Sequence, residues 1–332
     1  MLQAKPIAGG ETKMTEKEGK TTEQKKLRPW DIELQKLDRE KISNPPPIRI
    51  REAKIIEDVA PFLIGPQANA NPRAEIPTLE FPIYSLSKHK SLAIKRIEAR
   101  NGFIEIVPGQ YGQPTIWDRD ILLFILGELA RASDYKQSIS NKVKFYVADY
   151  LKRTGRSGGG RSYTLLKDAL MRLHTTSIRT DMKIGGKLIT DAFHLIESFQ
   201  IIDPLMNDEK RISIEVSVNQ WSMTAVLAKE ILSINPAYYK MQNPTKRRLY
   251  EIARKGCGGQ NSWKIGLSLL HARTGTKIIL RDFRYDMKKI SKSNDIPDYS
   301  IEYDETTDMI TFSKKSVKAD DPETKELELI HC

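Results

Sequence analysis

The sequence predicts a helix-rich α+β chain in which one module of helices and short strands occurs twice in tandem. Three observations point there. Short segments recur in the same order at slowly shrinking offsets. Glu128-Leu129-Ala130-Arg131 returns as Glu251-Ile252-Ala253-Arg254 after 123 residues, and Arg153-Thr154-Gly155 as Arg273-Thr274-Gly275 after 120. The apolar triad Leu166/Leu170/Leu173 returns as Phe283/Met287/Ile290 after 117. Each triad lies on a helical period whose opposite face is basic. Each is followed by alternating apolar residues broken by turn formers, the signature of a hairpin.

Local signals account for each element in chain order. Residues 1–75 are polar and mixed in charge, broken by Pro45-Pro46-Pro47, and are expected to be a mobile extension with at most a short amphipathic helix over 31–41. The first module is placed at 76–230. Its first helix is expected from Pro114-Thr115, with Asp118 completing a capping box, to about Arg131. A strand over 143–147 leads into a second helix, Ala148–Arg153, stopped by Gly155. The third helix carries Leu165, Leu166, Ala169, Leu170 and Leu173 within an arc of about 140°. A hairpin of 178–184 and 187–189 around Gly185-Gly186 follows.

The second module is placed at 231–316. Asn243 before Pro244 reads as an N-cap with proline at the first helical position, and the helix should stop near Gly256. A second helix is expected over 263–273, ended by Gly275. The third helix has Ile279, Leu280, Phe283, Met287 and Ile290 on one face, with a hairpin of 299–303 and 309–312 after it. Helix, helix, basic helix, hairpin is the order of a winged helix, so two tandem winged-helix domains are predicted. Residues 317–332 form an acidic tail.

Charge says what such modules could meet. The chain of 332 residues has a net charge of +11. Residues 240–292 hold 14 Lys/Arg against 3 acids, and residues 142–172 hold 8 against 2. Two basic islands fit a polyanion, and nucleic acid is the default. Candidate DNA contacts in module one are Arg156, Arg161, Ser162, Thr164, Lys167 and Arg172, with Lys183 and Lys187 on the hairpin. In module two they are Lys277, Arg281, Arg284, Lys288, Lys289 and Lys292. Arginine on the third helices would read guanine through paired hydrogen bonds, while loop and wing cations would hold phosphate.

Other chemistries find little support. Gly155 to Ser162 nearly matches a phosphate loop, but Arg161 stands where lysine is needed and no buried strand precedes it. The five histidines show no metal spacing, and with two cysteines there is neither a disulfide framework nor a convincing nucleophile–base pair. No enzyme activity, metal or cofactor is expected. The longest apolar run, 121–126, is too short to cross a bilayer, and the first 30 residues lack a signal-peptide core, so a cytoplasmic protein without membrane contact is expected. Trp117, Trp221 and Trp263 are expected as core anchors.

Several stretches are familiar as a set. Ile196–Ile202, Ile212–Trp221, Tyr238–Gly258, Trp263–His271 and Leu280–Ile290 resemble the plasmid replication initiator protein A family, in order. The most specific block is Pro-x-x-Arg-Arg-Leu-Tyr-Glu-Ile-Ala-Arg-Lys, Pro244 to Lys255. The resemblance covers residues 76–315. It implies an initiator that binds repeated sites in double-stranded DNA at a plasmid origin, forms a homodimer through the first module, and recruits host replication proteins such as an initiator and a helicase. The alternatives to weigh are a tandem winged-helix transcription regulator and, from another class, a rolling-circle nickase.

Overall fold

The computed structural model describes residues 60–99, 102–181, 183–184, 187–188, 191–203 and 212–315. The expected helix over 31–41 and the acidic tail lie outside the described residues. The described residues belong to one compact unit that contains both modules.

The folded body starts earlier than the sequence suggested. Strand β1 (Phe62–Ile64) pairs in parallel with β5 (Lys142–Tyr146), and β2 (Arg73–Glu75) is followed at once by helix α1 (Ile76–Glu80). Residues 60–75 therefore belong to module one. The reason is long-range pairing, β1 with a strand about 80 residues on and β2 with residues 231–233 about 160 residues on, to which a local pattern is blind.

Both modules share one order. Module one runs α2 (Arg119–Asp134), β5, α3 (Val147–Arg153), α4 (Gly160–Thr175), β10 (Ile196–Ile202), β11 (Ser213–Val218). Module two runs α6 (Pro244–Cys257), β13 (Ser262–Gly266), α7 (Leu267–Thr274), α8 (Leu280–Ser293), β14 (Tyr299–Asp304), β15 (Met309–Lys314). In each, the last strand enters the middle of the sheet, giving β5-β11-β10 and β13-β15-β14. The repeat holds in detail. Thr154 and Thr274 are buried, with hydroxyls donating to carbonyls of the preceding turn, and Gly155 and Gly275 follow at φ of 65° and 67°. Both apolar triads are buried.

Module one carries insertions that module two lacks. Strands β3 (Lys95–Ala99), β4 (Gly102–Val107), β6 (Ser177–Thr180) and β9 (Asp191–His194) make a second antiparallel sheet in the order β3-β4-β6-β9. A hairpin, β7 (Lys183–Ile184) with β8 (Lys187–Leu188), projects between β6 and β9. The wing expected at 178–189 is thus assigned elsewhere. Ser177–Thr180 pairs with the distant β4, and β10 and β11 complete the module's own sheet. A Gly-Gly turn marks a hairpin, and it cannot say which sheet that hairpin serves.

Smaller differences also have local causes. Helix α2 begins at Arg119, because Thr115 bridges to Ser85 and Asp118 accepts the Thr115 N–H at 2.7 Å, half of the expected capping box closed one turn outside the helix. Residues 263–266, expected to open the second helix, belong to strand β13, the counterpart of β5, and Trp263 stacks on Phe312 across the sheet at 5.9 Å. Leu165 and Ile279, placed on apolar faces from the wheel, are 51% and 56% exposed. Trp221 is buried as expected, against Phe193. Asn243 caps α6 by accepting the Lys246 N–H.

Between the modules lie α5 (Gln220–Leu227), β12 (Ile231–Ser233), which pairs with β2, and a 3₁₀ turn over Pro236–Lys240. The core of module two takes in Ala74, Leu79 and Leu123 of module one, so the two are not separated by solvent. Gly275 meets Pro82 so closely that a Cβ there would overlap the proline ring.

Candidate nucleic-acid interface

Helix α4 buries Leu166, Ala169, Leu170 and Leu173 and turns Arg161, Thr164, Lys167 and Asp168 outward, all exposed. Its approach is the glycine-rich loop 155–160. Gly159 has φ of 112°, a conformation that favours glycine, and opens the helix with no side-chain cap. Ser162 Oγ donates to the Ser157 carbonyl at 2.6 Å, and Thr164 Oγ1 to the Gly160 carbonyl at 3.1 Å, so these hydroxyls tighten the loop and first turn. Arg161 and Lys167 are left to solvent as the outward cations of this helix.

Two other candidates in module one have internal partners. Arg172 grips Asp118 with both Nε and Nη2, at 2.7 and 2.8 Å. Arg156 lies against Asp120 at 2.8 Å and donates to the Trp117 carbonyl. Burial pulls Arg156 down, but Tyr150 and Asp120 outweigh it, and the guanidinium sits above its ordinary value. Arg156, expected at phosphate, and Arg172, expected on the base-reading helix, are both engaged inside the protein instead. Each is spent on a buried carboxylate, because leaving Asp118 or Asp120 without a counter-charge would be costly. Lys183 and Lys187 are backbone members of β7 and β8, and their side chains lie outside the described residues.

Helix α8 is the more basic. Arg281, with its side chain 81% exposed, pairs with its neighbour Asp282 at 2.9 Å, and Lys277, Lys289 and Lys292 are exposed. Arg284 binds Asp308 at 2.8 Å, and Tyr303 donates to the same carboxylate at 2.6 Å. Lys288 meets Glu305 at 2.7 Å. Asp308 and Glu305 belong to the β14–β15 hairpin, so Arg284 and Lys288 tie that hairpin to the helix. Arg284 first, then Tyr303, hold Asp308 below the usual carboxylate value.

Much of the second basic island faces inward. Arg247 and Arg248, from the most specific block of the sequence, are buried and belong to the junction between modules. Arg247 binds Asp120 at 2.7 Å and donates to the carbonyls of Tyr239 and Met241. Arg248 binds Glu251 at 2.9 Å and donates to Leu79 and Glu80, carbonyls at the end of α1 that the helix leaves unpaired. Arg119 approaches Glu251 at 2.7 Å as an ion pair without a directed hydrogen bond, and donates to Thr78 at 2.7 Å. Tyr238 donates to Glu251 at 2.5 Å. Asp120 thereby holds Arg156 and Arg247 together, joining the glycine-rich loop before α4 to module two.

One cation escapes the sequence reading. Lys95 on β3 has its ammonium pushed down, first by burial and then by the like charge of Lys277. A module-one lysine and a module-two lysine therefore share a neighbourhood. Nothing in the sequence pattern could pair residues so far apart. Among the described residues no cluster of three or more His, Cys, Asp or Glu could hold a metal, and no helix is long and apolar enough to cross a membrane.

Comparison with known proteins sets these features in a class. The model of the family described as replication initiator protein A matches residues 73–301. The chain belongs to that family. A protein of Wigglesworthia glossinidia brevipalpis that carries a replication-protein name is 36% identical over 245 residues, 73% of this chain and 89% of the relative. Among solved structures, domains 2 and 3 of RctB share the fold, with a TM-score of 0.51 at 14% identity over 71% of this chain and 95% of that one.

Proposed function

We propose that the protein starts plasmid replication by binding repeated sites in double-stranded DNA at the origin. Each module acts as a winged helix, with α4 and α8 entering the major groove and the β10–β11 and β14–β15 hairpins as wings. The observation that carries this reading is the twofold recurrence of one helix–strand–helix–helix–strand–strand order, with an outward basic third helix each time. Arg161 at the uncapped start of α4 suits phosphate, since the helix dipole and the guanidinium both favour an anion there. Lys277, Arg281, Lys289 and Lys292 do the same for α8, which supplies the larger share of affinity.

No covalent step is needed. Binding several copies to adjacent repeats bends and strains the duplex, and host initiator and helicase then act on it. The protein works in the cytoplasm as a homodimer and represses its own gene from related sites. A plasmid with the DNA flanking the gene and no other origin tests the reading. It should replicate when the protein is supplied in trans. Binding and repression without replication would identify a transcription regulator, and a covalent adduct on single-stranded origin DNA would identify a nickase.

A further inference from the structure

Helix α8 has its buried edge at Phe283, Met287 and Ile290. At 100° per residue, the direction opposite the middle of that triad falls within about 15° of both Tyr285 and Lys292. Tyr285 is 59% exposed at the centre of the outward face. Arg281, Lys288 and Lys289 surround it, with the Lys289 ammonium 4.2 Å from the ring centre. Ile278 and Ile279, also exposed, lead into the same helix. The face therefore carries an aromatic ring on its middle line, with Lys292 two turns further along the same line, and a mainly cationic rim in which Asp282 is the one acid beside the ring.

That arrangement has a geometric complement in duplex DNA. The rim matches the phosphate walls of a major groove, and the middle meets the base edges. The one apolar feature on that edge is the C5 methyl of thymine. At the 117-residue offset the corresponding centre of α4 is Asp168, an exposed carboxylate that cannot take a methyl group. We propose that Tyr285 reads a thymine methyl in the half-site bound by module two, so that the two halves of each site differ in sequence. The proposal rests on the reading of the protein as a double-stranded DNA binder.

Uracil interference tests it on a site of any sequence. The probe is the duplex flanking the gene, with thymine sparsely replaced by uracil, bound by the full chain. Removing one methyl that touches the ring should deplete the bound fraction about fourfold at one or two thymines per protected repeat. Tyr285→Ala should bind this DNA about tenfold more weakly and show no depletion at those thymines. Tyr285→Phe should keep the depletion, because the ring and not the hydroxyl meets the methyl. Circular dichroism checks that each variant is folded. Depletion that persists in Tyr285→Ala, vanishes in Tyr285→Phe, or is absent in the unaltered chain while the DNA still binds overturns the proposal. Failure of the unaltered chain to bind duplex at all overturns the DNA-binding reading beneath it.

Discussion

Removing one charge at the junction should destabilise the whole folded unit. Glu251 is 2% exposed and neutralises Arg119 of module one and Arg248 of module two, at 2.7 and 2.9 Å, while accepting from Tyr238. Glu251→Gln preserves shape and an acceptor oxygen but takes the paired carboxylate from both buried guanidiniums and leaves Arg119 only the more distant charge of Glu75. Arg248 keeps three carbonyls, from Leu79, Glu80 and Arg273. Arg119 keeps the Thr78 hydroxyl, so most of the loss falls on it. Breaking a buried pair from one side costs about 3–5 kcal/mol. For a unit of this size that is a fall in Tm of roughly 5–10 °C. Urea titration and thermal melts measure it, with Glu302→Gln on an exposed strand position as a control near zero. A loss under about 1 kcal/mol would refute the reasoning, since it would mean that water already solvates these arginines.

Other consequences are open to direct measurement. Lys289→Glu with Lys292→Glu should weaken duplex binding at least tenfold with an unchanged melt. Arg284→Glu should in addition loosen the hairpin, seen as faster amide exchange over 303–309. Neutralising Arg161 and Lys167 should weaken protection over one half of a site and flatten the salt dependence, by about 0.9 in log K per decade of salt for each phosphate left un-neutralised. Asp308, held below its usual 3.8, stabilises the fold above that value, and this contribution disappears as pH falls through the depressed one. Melts should thus show no loss from this group between pH 7 and 5 and a loss below about pH 4 that Asp308→Asn abolishes. Sedimentation at micromolar concentration should find a dimer, and a strict monomer would end the homodimer reading.

What the sequence revealed and what it hid divide along a physical line. The repeat, the cap at Asn243 and the buried triads are local and periodic, so the tandem modules, α4 and α8 could be read from residue spacing. Strand partners are not local. The turn expected at Gly185-Gly186 could not disclose that nearby Ser177–Thr180 pairs with β4, nor could Phe62–Ile64 disclose its place beside β5. Charge misled in a related way. Arg247, Arg248 and Arg254 count toward the basic island, yet the first two bind buried acids and Arg254 donates to the Ser233 carbonyl. A guanidinium on a helix looks the same in sequence whether it meets water, phosphate or a carboxylate of the other module. The block most specific to the family is therefore largely the seam that joins the modules.

The central claim is that both third helices engage one duplex. Hydroxyl-radical footprinting of the full chain on the DNA flanking its gene tests it most directly. Repeated sites of about 20 bp should appear, each with two protected patches whose centres lie roughly 10 bp apart on one face of the duplex. The patch assigned to α4 should fade when Arg161 and Lys167 are neutralised, and the other when Lys289 and Lys292 are reversed. A single short patch per site, lost as a whole with either pair of substitutions, would contradict the claim and leave one module for contacts between proteins.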